Sequence, residues 1–137
     1  MATSTITYLG DLRTEAIHLQ SGEKIMTDPP VDNHGKGMAF SPTDLLATCL
    51  GSCMLTIMGI AVRDRDINID GTTCTITKIM AADPRRVSEI HAQIELPHSY
   101  IDKDKAILEH AAKTCPVFYS LHPDIKKIIT FRYKGEA

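Results

Sequence analysis

The spacing of hydrophobic positions changes along this chain, and each change predicts a different element. Residues 3–19 are rich in Thr, Ile, Tyr and Leu and predict strand, with Gly10-Asp11 as a turn or bulge. Ser21-Gly22 predicts a hairpin turn into a short strand at residues 24–26. Residues 28–40, DPPVDNHGKGMAF, carry prolines and glycines but no period, and read as a loop. From Ser41 the period becomes helical. Ser41 suits the N-cap, Pro42 the first helical position, and Asp44 stands three residues on, as in a capping box. Leu45, Leu46, Cys49, Leu50, Cys53, Met54, Ile57 and Met58 then recur at helical spacing. No charge falls between Leu45 and Val62, and a helix apolar on nearly every side needs cover on nearly every side. The run is long enough to suggest a membrane span. Thr48, Gly51, Ser52, Thr56 and Gly59 interrupt it, and amphipathic segments flank it, so a buried central helix is expected and no membrane.

Beyond the polar stop at residues 63–66, residues 67–80 predict strand, broken at Asp70-Gly71, and Asp83-Pro84 predicts a turn. Residues 87–96 carry the clearest alternation. Ile90, Ala92, Ile94 and Leu96 interleave with Glu89, His91, Gln93 and Glu95, so one face is dry and the other wet. Residues 102–115 predict an amphipathic helix with Ile107, Leu108, Ala111 and Cys115 on one side, and Pro116 limits its continuation. Residues 128–133 predict a last strand. Strands, helix, strands, helix, strand is the order of an α+β protein with mainly antiparallel sheets, and 137 residues make one domain, 1–137.

Composition narrows the function classes. Fifteen basic residues face seventeen acidic ones, a net charge of −2, so nothing electrostatic calls for nucleic acid or an anionic membrane. Trp is absent and Phe is scarce, so no aromatic platform for bases stands out. MATSTITYLG lacks a basic segment followed by an apolar run, and Ala2 does not fit the myristoylation pattern; a cytoplasmic protein is expected. Four cysteines in that compartment are more often reduced, metal-bound or catalytic than structural disulfides. The six histidines are scattered without ligand spacing, so no metal and no other cofactor is expected. Cys74 reads as a small buried hydrophobe. Composition and spacing leave Cys53 and Cys115 as core thiols.

Two stretches add to that picture. SPTDLLATCLGSC, with Cys53 eleven positions after Pro42, resembles the first motif of the OsmC/Ohr family, and TCPVFYSL, from Thr114 to Leu121, resembles its second. The resemblance implies an α+β fold whose mainly antiparallel sheets wrap a long buried central helix and a second helix, as an intertwined homodimer. It implies a thiol peroxidase that reduces organic hydroperoxides, with Cys53 attacking and Cys115 resolving, and with a dithiol or a lipoylated protein as reductant. In the family's peroxidases an arginine of the N-terminal strands serves the attacking cysteine, held by a Glu directly after the motif proline. Here Thr43 occupies that position and the acid is Asp44, one residue on and about 100° round the helix. Asp44 is thus either the displaced carboxylate or a capping residue, and Arg13 is either the site's cation or an exposed strand charge. The departure leaves an alternative open: an OsmC-like redox sensor or small-molecule-binding protein without efficient turnover. A stably folded dimer with inert core thiols is the third possibility.

Overall fold

The computed structural model describes residues 1–136. It contains six strands and three α-helices among the described residues: β1 Ser4–Gly10, β2 Arg13–His18, β3 Lys24–Thr27, α1 Pro42–Val62, β4 Thr73–Ala81, β5 Arg86–Leu96, α2 Asp102–Lys113, α3 Pro116–Ser120 and β6 Lys126–Tyr133. The chain divides into two compact units, Met1–Leu46 and the remainder from Ala47.

The first unit is an antiparallel sheet in the order β1-β2-β3. A register shift between Tyr8 and Gly10 ends the β1–β2 pairing, and Asp11 and Leu12 turn the chain with positive φ. The sheet buries little of itself. Ile6 and Tyr8 are 65% and 64% exposed, and only Thr27, Asp28 and Ser41 of this unit are fully buried. The loop at residues 28–40 holds a 3-10 turn, Val31–Asn33, and folds tightly over its own start. The Gly35 and Gly37 amides donate to the carbonyls of Pro30 and Pro29. A Cβ on Gly35 would lie 1.7 Å from the Pro29 carbonyl oxygen, so only glycine fits there.

The second unit holds the hydrophobic core. β5 pairs antiparallel with β4 and parallel with β6, so one pair departs from the antiparallel expectation. The reason is local: α2 and α3 lie between β5 and β6, and a helical crossover delivers the next strand in parallel. The alternation along β5 holds as read, with Ile90, Ala92, Ile94 and Leu96 buried. A bulge at Ser88 adds one residue to β5, which turns Val87 onto the same dry face. Strand β4 begins at Thr73 rather than at residue 67. The Asn68 side chain accepts the Asp70 amide, and the Thr72 amide and hydroxyl both donate to the Ile69 carbonyl, so residues 67–72 form turns instead.

Helix α1 is by length and composition able to cross a membrane. Its stripe of Ala47, Leu50, Gly51, Met54, Met58 and Val62 is nevertheless filled by its own unit's core. At Gly51 a Cβ would come within 3.1 Å of Cys74 Sγ and of Ile76 Cδ1, so the small residue lets the helix lie close on β4. The expectation of cover on every side is met on one side only. Cys49, Ser52, Thr56 and Ile60 are exposed in the single chain. Helix α2 stops at Lys113, two residues short of the expected end, where the Thr114 amide and hydroxyl turn back to the Ala111 and His110 carbonyls. Cys115 is therefore the N-cap of α3 and not the last residue of α2.

Candidate functional site

Four side chains, Cys53, Cys115, Arg13 and Asp44, are candidates from sequence. Two of them meet within the second unit. The thiols of Cys53, three turns into α1, and Cys115, at the start of α3, are neighbours close enough to influence each other's protonation. They differ sharply in access. Cys115 is 0% exposed and belongs to the core with Ala111, Ala112 and Leu121, while Cys53 is half-buried. Cys49, one turn before Cys53, is exposed, and Cys74 is half-buried against the α1 glycine.

The thiol of Cys115 is pushed above its ordinary pKa. Burial is the main cause; the Phe118 amide opposes it, the Cys53 thiol adds to it, and the Val117 amide opposes it weakly. Reading Cys115 at the C-terminus of a helix would assign the same direction to a negative helix end. The structure replaces that cause. The sulfur faces amide donors at the start of α3, and desolvation is what outweighs them. Burial likewise raises the thiol of Cys74. Cys53 lies too far along α1 to draw on the positive N-terminal end of the helix.

In the first unit, Arg13 has Asp28 as a carboxylate partner. Its Nη2 stands 3.6 Å from Asp28 Oδ2 and 3.3 Å from the Met38 sulfur. Asp28 is buried and accepts the backbone amides of Lys36 (3.3 Å) and Met38 (3.1 Å). Its carboxyl is held below the ordinary carboxylate range. The Met38 amide contributes most, burial opposes, and the Lys36 amide and Arg13 contribute further. Arg13, Met26, Thr27, Asp28, Met38 and Ala39 line a cavity of 150 Å³. Asp44 completes the capping box: the Ser41 amide donates to Asp44 Oδ2 at 3.0 Å, and the Asp44 amide donates to Ser41 Oγ at 3.0 Å.

Two features of this site escape a reading by period alone. Asp28 looks like the first residue of an irregular loop, yet an Asp ahead of a Pro/Gly-rich turn is a natural acceptor for the loop's amides. The Cys-Pro step at residues 115–116 reads as a helix stop, but proline is equally at home as the first residue of a new helix. Among the described residues, no three His, Cys, Asp or Glu side chains converge as metal ligands would.

Comparison with known proteins places these features in a group. The OsmC-like protein family model matches residues 34–129. A solved structure from Psychrobacter arcticus, described as an osmotic stress induced and detoxification response protein, is 60% identical. It aligns over 96% of each chain with a TM-score of 0.93. An OsmC-like protein of Mycoplasma pneumoniae is 19% identical over 95% of this chain and 94% of its own, with a TM-score of 0.78. An organic hydroperoxide resistance protein of Elizabethkingia anophelis is 16% identical over 98% of both chains, with a TM-score of 0.75. No curated protein matches the sequence.

Proposed function

The chain belongs to the OsmC-like protein family, and from that premise we propose that it reduces organic hydroperoxides with a pair of cysteines. The observation that carries the proposal is that the Cys53 and Cys115 thiols are neighbours. In this reading the Cys53 thiolate attacks the distal peroxide oxygen. The O–O bond breaks, an alcohol leaves, and Cys53 becomes a sulfenic acid. Cys115 then attacks the sulfenic sulfur, water leaves, and a Cys53–Cys115 disulfide remains. A dithiol, or a dithiol arm carried on a lipoylated protein, returns both thiols to the reduced state.

Arg13 is the proposed cation for the Cys53 thiolate, since arginine keeps its charge in partly buried surroundings. Arg13→Ala then slows alkylation of Cys53 at neutral pH and leaves folding intact; an unchanged rate removes Arg13 from the mechanism. Asp44 is assigned a supporting role beside its cap. The same reading makes the protein a cytoplasmic homodimer. The exposed outer side of α1 and the exposed Ile6, Tyr8 and Leu9 of β1 are the surfaces a second copy would cover. Light scattering at micromolar concentration is expected to give twice the chain mass, and a stable monomer refutes that part.

The decisive assay is stoichiometric. One equivalent of cumene hydroperoxide is expected to give a Cys53–Cys115 disulfide by peptide mass spectrometry. Cys115→Ser still consumes one equivalent and then over-oxidises, while Cys53→Ser consumes none. A Cys53→Ser protein that turns over peroxide overturns the reading. One observation favours a second reading, a redox sensor or small-molecule binder without rapid turnover. Arg13 is paired with Asp28, and Asp44 is engaged in a capping box. In that case the disulfide forms, but no dithiol sustains turnover.

A further inference from the structure

The two sulfurs of the pair are so unequal in access that the reductive half of the cycle has a direction. Resting on the reading that Cys53 and Cys115 form the redox disulfide, we propose that the reductant attacks the Cys53 sulfur and that Cys115 is the sulfur expelled. Thiol–disulfide exchange requires the incoming thiolate to reach the sulfur it attacks. Cys115 has no exposed surface, and any assembly of this chain can only bury it further. Cys53 keeps part of its surface in the same chain.

Leaving-group chemistry alone does not favour this direction. Burial raises the Cys115 thiol, which makes its thiolate the slower one to depart. The amides of Phe118 and Val117, which point to that sulfur, offset part of the handicap. Access decides the matter, because a sulfur that cannot be reached is not attacked whatever partner it would release.

The steps balance as follows. The first thiolate of the reductant bonds to Cys53 and breaks the Cys53–Cys115 bond. Its electron pair goes to Cys115, which takes up the proton given up by the reductant and returns to the core as a thiol. The second thiol of the reductant then attacks its own sulfur in the mixed disulfide. That closes the reductant's ring and releases Cys53 as thiolate, ready for the next peroxide. The buried thiol thus stays protonated except while it moves electrons, and the mixed disulfide always sits on α1.

A monothiol, which cannot complete the second step, tests this. Cys49→Ser protein, which removes the exposed thiol beside the site, is oxidised with one equivalent of cumene hydroperoxide or with diamide. It is then mixed with 2-mercaptoethanol, quenched with acid within the first turnover and alkylated with N-ethylmaleimide under denaturing conditions. Peptide mass spectrometry is expected to find mercaptoethanol on Cys53 and maleimide on Cys115, in roughly tenfold or greater excess over the reverse pattern at the earliest times. Mercaptoethanol on Cys115, or equal labelling of the two, overturns the direction while leaving the redox pair intact. If neither oxidant yields a Cys53–Cys115 bond, the underlying reading fails before any exchange occurs, and the direction falls with it.

Discussion

Every buried hydrophobic side chain described in this protein lies at or after Ala47, whereas the residues buried before it are Thr27, Asp28 and Ser41, all polar. The two units are thus ordered by different forces. From Ala47 onward, order comes from apolar packing: Leu50, Met54 and Met58 of α1, Ile90 and Ile94 of β5, and Leu108 of α2 have no exposed surface. Each such side chain contributes about 1.5–3 kcal/mol through burial. The first unit relies on directional bonds: ladder pairs, the capping box, and a carboxylate that gathers the amides of its own loop. Hydrogen bonds contribute about 1 kcal/mol net each and depend on every partner being present. The candidate chemistry divides along the same line. The thiol pair belongs to the packed unit, and the arginine belongs to the hydrogen-bonded one.

The strongest test of that contrast is a pair of truncations. Leu50→Ala is expected to lose about 2–5 kcal/mol in urea denaturation, as a fully buried leucine does. Ile6→Ala, on the exposed strand β1, is expected to stay within about 0.5 kcal/mol if the chain is monomeric under the assay conditions. A larger, concentration-dependent loss at Ile6 is the signature of a second copy covering that face. Equal losses at both positions in a monomer break the contrast.

Gly51→Ala comes next. Its new methyl meets Cys74 Sγ and Ile76 Cδ1 at 3.1 Å, and an overpacking cost of about 1–3 kcal/mol is expected to exceed the roughly 1 kcal/mol that alanine gains over glycine in a helix, for a small net loss. Cys74→Ala in the same protein is expected to recover part of the loss, and no recovery removes Cys74 as the obstacle. Ser41→Ala removes the cap that holds the Asp44 amide, at a cost of about 1 kcal/mol.

The smallest effect is local and depends on pH. The folded-state pKa of Asp28 is depressed, so its contribution is present above the unfolded carboxylate value of about 3.9 and is lost as pH falls through the folded one. Amide exchange at Lys36 and Met38 is expected to show extra opening as pH falls through that window. Asp28→Asn removes this pH dependence and speeds exchange of both amides already at neutral pH. A variant whose loop still opens with acid assigns the effect to another group.

Much of this was legible from residue order because the relevant rules are local. The capping box at Ser41 and Asp44 needs only three residues of spacing, and it is present as read. The alternation in β5 needs only a period of two, and each residue expected on the dry face is buried. The two cysteine motifs lie sixty-two positions apart, and resemblance rather than period brought them together. What escaped reading was non-local or ambiguous. Pro116 both ends one helix and starts another, so period alone could not say that Cys115 opens α3. The Arg13–Asp28 pair joins the first residue of β2 to the residue just after β3, and it follows from a hairpin register that the spacing of hydrophobic residues does not fix.

By itself the sequence determined where α1, α2, β3, β5 and β6 begin to within two residues, that no charge falls between Leu45 and Val62, and that Cys49 and Cys53 stand on α1 and Cys74 on a strand. These follow from propensity, period and capping, which act over one or two turns of chain. Only the tertiary structure decided that Cys53 and Cys115 are neighbours, that Cys115 is sealed while Cys53 is not, and that Arg13 answers to Asp28. Each of these depends on which surfaces meet in space. Burial and proximity are properties of packing, and no residue carries them alone.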